Sequence, residues 1–333
     1  EGLALGTGVL QRLGAGFALA ASGRYGFSDE EWKGRGALEY RTGAGSSLIL
    51  AGAREYRDVS EEQETSLIRN SIAAQEFGSD YTDPYDARVA SLAGALGGLS
   101  WRPSIEITYE QHEPLDVHAR PANGAFEATI PAQRLHEARV AVAFDRPTSL
   151  SWAGYELGAR IALSGIRRFA SGISPRSDFL RPSITLDMEK PFGSSRFIWH
   201  TVAAGIFSPD TVPVQHLVYL GGPTTGPGYD FHEFVGRGAI SQRMEYRFLS
   251  PFVPIPLGRF GTAPGTITLA PFATAVWINQ SAPFKTARQG WYPSIGLGAL
   301  TVFDVLRLDV ARGLRNGRWT FSVDVGRDFW SVL

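Results

Sequence analysis

Apolar and polar residues alternate with period two along most of the chain, which is the signature of strands with two chemically different faces. Over 101–112 one face carries Trp101, Pro103, Ile105, Ile107 and Tyr109, and the other Arg102, Ser104, Glu106, Thr108, Glu110 and His112. Over 180–189, Leu180, Pro182, Ile184, Leu186 and Met188 oppose Arg181, Ser183, Thr185, Asp187 and Glu189. Over 240–248, Ile240, Gln242, Met244, Tyr246 and Phe248 oppose Ser241, Arg243, Glu245 and Arg247. The same alternation predicts strands near 2–11, 16–27, 32–41, 46–57, 84–95, 99–112, 137–146, 155–166, 179–189, 195–206, 237–250, 266–280, 290–301, 304–314 and 317–327.

Length separates two readings of such strands. Sandwich strands average about 5–6 residues, whereas a tilted membrane strand needs about 9–11. Most of the segments here run to the membrane length. Their polar faces mix Arg with Glu or Asp, which suits a wet, charge-paired lumen. The fold class expected is all-β: a transmembrane antiparallel β-barrel of about 16 strands, with residues 1–333 as a single outer-membrane domain.

The connections alternate between short and long, with the long ones at 58–83, 113–136, 167–178, 207–236 and 281–289. Outer-membrane barrels have short periplasmic turns and longer external loops. That parity puts the C-terminus in the periplasm. Asn316–Gly317 is a tight-hairpin signal at one of the short external connections. Bacterial single-chain barrels have an even strand number, so fifteen segments imply a first strand before Glu1 or a misread element. Ser66–Phe77, partly apolar, is the place to look for the latter.

Composition narrows the alternatives. No run of 18 apolar residues exists, so no transmembrane helix is expected and strands are the remaining way across a bilayer. Gly 38, Phe 20, Tyr 11 and Trp 8 fit many turns and aromatic girdles. Cys 0 leaves no disulfide framework and no thiolate metal site. A net charge of −1 gives no reason to expect a nucleic-acid partner. The partners expected are outer-membrane lipid and lipopolysaccharide, with periplasmic or envelope proteins.

Candidate chemistry is sparse, and no catalytic residue, metal site or cofactor is expected. Of the six His, three precede Glu directly, as His112-Glu113, His136-Glu137 and His232-Glu233. None forms His-Glu-x-x-His, so they read as polar loop and rim residues. Asp80, Asp83 and Asp86 are evenly spaced but lack a calcium-type Asp/Gly pattern, which favours a solvated acidic loop over a site bridging lipopolysaccharide phosphates. No Gly-x-Ser-x-Gly motif supports a hydrolase. The inward charges (Arg102, Glu106, Arg160, Arg181, Asp187, Arg243, Glu245, Arg247, Arg307 and Asp309) read as ladders that stiffen the wall or as the lining of a selective path.

Four features of the last third occur in a telling order. A Gly-rich stretch, Gly221-Gly222-Pro223-Thr224-Thr225-Gly226-Pro227-Gly228-Tyr229, is followed by Glu245-Tyr246-Arg247 and then by Leu306-Arg307-Leu308-Asp309. The last strand carries Asp324, Gly326 and Phe329, the spacing of an outer-membrane sorting signal. Region 221–330 resembles the C-terminal barrel of the bacterial surface antigen superfamily, which includes the BamA and TamA assembly factors. The resemblance implies a long loop folded into the lumen, with Gly226, Pro227, Gly228 and Tyr229 at its tip and Glu245, Arg247 and Thr274 as wall partners. It also implies a non-enzymatic role in protein or lipid insertion, or as an anchor for a periplasmic partner. A passive pore or a structural envelope subunit is the alternative. Two departures matter: the family's loop Arg is Pro227 here, and the Asp it reaches is Thr274. Joint loss is physically consistent, because one buried charge without its partner costs more than losing both.

Overall fold

The computed structural model describes residues 2–147, 151–169, 177–256, 258–282, 285 and 287–325. One antiparallel sheet contains every strand. Its long members are β1 (Ala4–Gly14), β2 (Phe17–Gly26), β3 (Trp32–Arg41), β4 (Ser47–Asp58), β5 (Pro84–Ala95), β6 (Arg102–Glu113) and β7 (Leu135–Arg146). They continue as β9 (Tyr155–Arg168), β10 (Ser177–Phe192), β11 (Ser195–Gly205), β13 (Phe234–Pro251), β14 (Thr266–Ser281), β15 (Gly290–Thr301), β16 (Leu306–Gly313) and β17 (Trp319–Val325). Each sequence-derived segment corresponds to one of these fifteen. Two short strands complete the sheet: β8 (Ser151–Trp152) at the β7–β9 hairpin, and β12 (Val218–Leu220), an inner-loop strand that pairs with β13.

Side chains follow the pleat. Ile105, Ile107 and Tyr109 of β6, Met244 and Tyr246 of β13 and Val310 of β16 point outward and are exposed. Their neighbours Thr108, Glu110, His112, Arg243, Glu245, Arg247, Arg307 and Asp309 point inward and are buried. An exposed apolar exterior over a charged interior is the inverse of a water-soluble protein and matches a barrel in lipid.

Residues 59–83 hold a helix, α1 (Leu67–Phe77), and no strand. Ser66 caps it by accepting from the Arg69 amide, and Gly78, at φ 70°, ends it in the left-handed conformation. The helix also fits the sequence, since Leu67, Ile68 and Ile72 recur at helical spacing. An odd number of alternating long strands leaves both sheet edges running the same way. Among the described residues β1 is paired only with β2 and β17 only with β16.

Inner loops fill the lumen at the long-loop end. Ile166, Phe179, Val276, Ile278 and Tyr292 of the wall close on Leu220, Tyr229 and Phe234. This apolar layer closes over the charged rows of β13 and β16.

Candidate functional site in the barrel lumen

The charged rows are built by period-two placement on β13 and β16. Arg243, Glu245 and Arg247 are successive inward residues of β13, and Arg307 and Asp309 of β16 face them. Glu245 is the hub. Arg307 grips it in bidentate fashion, Nη1 to Oε1 at 2.9 Å and Nη2 to Oε2 at 2.7 Å. Arg247 Nε reaches Oε1 at 2.6 Å and Arg243 Nη2 reaches Oε2 at 3.0 Å. Arg307 Nε also donates to Asp309 Oδ1 at 2.9 Å, and Arg243 Nη2 approaches Asp309 Oδ2 at 3.4 Å.

The intervening strands make room for this reach. β13 and β16 are separated by β14 and β15, each spacing about 4.8 Å, and the inward residues Ala270, Gly296 and Gly298 that lie between them are small. Gly298 is the critical one: a Cβ there would stand 2.6 Å from Asp309 Oδ1 and 2.8 Å from Arg307 Nη2. Gly296 similarly makes way for the Phe272 ring, on whose face the Arg243 guanidinium lies 3.7 Å from the centroid. Gly298→Ala is therefore expected to lower stability by about 1–3 kcal/mol, the usual overpacking range. The urea midpoint of the barrel checks this, and a midpoint equal to wild type would contradict it.

The Gly-rich loop rests directly above. Gly221 and Gly222 have φ of 113° and 121°, outside the range of other residues. They turn the chain so that the Thr224 and Thr225 amides face Glu64, which arrives from the 59–66 segment. Glu64 Oε2 accepts from Thr224 N at 2.7 Å and Thr225 N at 3.1 Å, and Oε1 accepts from the Thr225 hydroxyl. Thr224 Oγ1 donates back to the Glu64 carbonyl at 2.7 Å. Burial pushes the Glu64 carboxyl above its ordinary value, against the pull of Thr225 and the two amides. Nearby Glu61 is held below its ordinary value: Arg181 and Arg139 outweigh its burial.

The tip of the loop meets the wall at β15–β17. Gly228 N donates to Thr320 Oγ1 at 2.9 Å, and Asn316 Nδ2 to the Gly228 carbonyl at 3.3 Å. A Cβ on Gly228 would fall 2.3 Å from Gly313 N, so the two backbones touch here. Tyr229 is buried against Phe234 and Tyr292 and donates to the Pro293 carbonyl at 2.9 Å. Pro227 lines a recess of about 810 Å³ together with Tyr81, Asp309 and Trp319.

These placements differ in part from the sequence expectation. On β13 the loop is held by Ser241 Oγ, 2.5 Å from the Thr225 carbonyl, and by Arg243 Nη1, 3.4 Å from the Pro223 carbonyl. Glu245 is occupied by arginines, and Arg247 donates to Glu245. Thr274 is buried next to Arg243 in the β13–β14 register, its hydroxyl without a hydrogen-bond partner among the described residues. Asp324 faces inward and accepts from Ser66 N at 3.0 Å and Ser66 Oγ at 2.5 Å, so it anchors the start of α1. Gly326 and Phe329 lie outside the described residues.

Two other expectations are corrected. Asp80, Asp83 and Asp86 are not one solvated acidic loop. Asp83 and Asp86 are buried, and Asp83 accepts from His232 Nδ1 at 2.7 Å while Asp86 pairs with Arg54 at 2.7 Å. His112 and His232 are fully buried rather than at a rim, because each has an acidic partner inside the lumen. Glu64 carries no sequence signal of its own beyond its place two residues before the Ser66 cap.

No family model and no curated protein matches the chain. Among solved structures it is similar to CdiB from Acinetobacter baumannii, with a TM-score of 0.52 and 13% identity over 97% of this chain and 55% of that one. It is also similar to BamA from Haemophilus ducreyi lacking POTRA domains 1-3, with a TM-score of 0.58 and 13% identity over 97% of this chain and 67% of that one. The chain thus spans about half the length of CdiB. The fold is that of BamA-like outer-membrane β-barrels.

Proposed function

We propose that this chain is a plugged, non-enzymatic barrel of the assembly or translocation type, with its C-terminus in the periplasm, acting on envelope proteins or lipid, or anchoring a periplasmic partner. The observation that carries the reading is the double grip on the inner loop. Glu64 holds its turn, and the Gly228–Gly313 contact holds its tip. A passive pore has no use for two inner segments locked to each other across the lumen. A releasable plug does, because a few side chains then set the balance between closed and open states.

Planar-bilayer recording tests this. The full chain is expected to show low, intermittent conductance, and deletion of residues 221–230 is expected to give a large, steady one. A large conductance in the unaltered protein that the deletion leaves unchanged would favour the passive pore.

A further inference from the structure

Three inward groups outside the charged rows of β13 and β16 converge where the inner loop meets β6 and β7. His112 is the last buried residue of the β6 inward row, two positions past Glu110, and Glu137 lies on the inward face of the adjacent β7. His216 ends a short 3-10 turn, Val214–His216, that delivers the inner loop to the same wall. One ligand atom from each of His112, Glu137 and His216 lies within 4.8 Å of the others. We propose that these three side chains form a zinc-class cation site that staples the inner loop to β6 and β7.

The donor set is right for such an ion. Zinc takes imidazole nitrogen and carboxylate oxygen at about 2.0–2.2 Å, and two His with one Glu leave a fourth position for water. Ligand atoms around a tetrahedral ion stand roughly 3.3 Å apart, so the widest separation, at most 4.8 Å, must close by up to about 1.5 Å while the His216–Glu137 pair opens slightly. His216 Nε2 already sits 2.7 Å from Glu137 Oε2.

The surroundings orient the ligands as a metal shell does. His112 Nε2 faces the Glu110 carboxylate at 3.0 Å, and Arg57 Nη1 holds that carboxylate at 3.0 Å. A carboxylate behind an imidazole fixes its tautomer and raises its basicity. With Nε2–H directed at Glu110, Nδ1 carries the lone pair. Its present neighbour is the Gln215 amide at 3.3 Å, itself tied to the Gln133 backbone in both directions.

Charge also favours an ion. Glu137 is almost wholly buried, and among the described residues its carboxylate has one hydrogen-bond partner, His216. Arg168 lies opposite it in the β7–β9 register, but no ion pair joins the two among the described residues. A buried carboxylate with so little compensation is costly, and a dication removes that cost. The sequence offered no spacing signal, because the ligands come from two strands and a loop far apart in the chain. The site stands on this geometry alone and holds whichever way the conductance of the barrel falls.

The test uses tag-free, detergent-solubilised full-length protein, with zinc alone as probe and cobalt as spectroscopic stand-in. Wild type is expected to retain one zinc per chain after dialysis and to give the intense visible bands of tetrahedral cobalt. His112→Ala and His216→Ala should lose that zinc, His136→Ala should keep it, and Glu110→Gln should weaken it about 10- to 100-fold. Gel mobility before and after heating shows which variants fold. If the His variants do not fold, the wild-type stoichiometry and cobalt spectrum decide alone. Absence of stoichiometric zinc on wild type, or zinc retained by a folded His216→Ala, overturns the proposal.

Discussion

Glu64→Ala is expected to free the inner loop and turn a closed barrel into a conducting one. The two Thr amides that Glu64 accepts from are buried at the turn of the loop, and removing the carboxylate takes away the acceptor they share. Hydrogen bonds to a charged group contribute about 1.5–3 kcal/mol each, and these share one acceptor, so the joint loss is roughly 3–5 kcal/mol. At about 1.4 kcal/mol per tenfold, local opening should rise by at least ~100-fold. Hydrogen exchange at Thr224 and Thr225 reads the opening, and bilayer conductance reads its consequence. Glu64→Gln separates shape from charge. Its amide oxygen can accept both backbone amides, and its NH2 group can donate to Thr225 Oγ1. Glu64→Gln should therefore stay near wild type. Equal opening in the two variants would show that the contact geometry does not hold the loop.

The wall was legible in the sequence because lipid on one side and a wet lumen on the other enforce a two-residue period. Ile105/Glu106 and Met244/Glu245 fall on the faces that their chemistry demands. The ends of strands were less legible: β13 starts at Phe234, ahead of its alternating stretch, where Phe234, Val235 and Gly236 are all buried and neither face meets lipid. The interior was only half legible. Arg307, Asp309 and Glu245 announced themselves by sitting on the polar face, but their pairing across β14 and β15 depends on Gly296 and Gly298, which carry no side chain to signal it. Glu64 and the His112–His216 meeting were hidden for a different reason. Both join segments more than a hundred residues apart, and no local period connects them. The joint absence of Arg at 227 and Asp at 274 was readable; that a carboxylate from 59–66 would hold the turn instead was not.

Glu245→Ala should be the most damaging single change in the wall. It removes the acceptor shared by Arg243, Arg247 and Arg307 and leaves three guanidinium groups crowded on one patch of the lumen. Removing one partner of a single buried ion pair costs about 3–5 kcal/mol, and here three donors lose their acceptor at once. Asp309 offsets only part of that loss, since it already accepts from Arg307 and Arg243. The expected result is a barrel that fails to reach the compact form resistant to unheated detergent gels, or one whose unfolding free energy, read from urea titration, falls by an amount in or above that range. The reverse test is sharper. Exchanging Glu245, Arg243 and Arg307 together for Met or Leu removes the hub and two of its arginines, keeps the volume and leaves Arg247 and Asp309 as one charge of each sign, and replacing buried ion pairs or triads by apolar groups is often tolerated. The triple variant should recover most of the stability that Glu245→Ala loses. If Glu245→Ala unfolds at the wild-type midpoint, the cluster is solvated by lumen water and does not bind β13 to β16. If the triple variant is as unstable as the single one, packing rather than unpaired charge sets the cost.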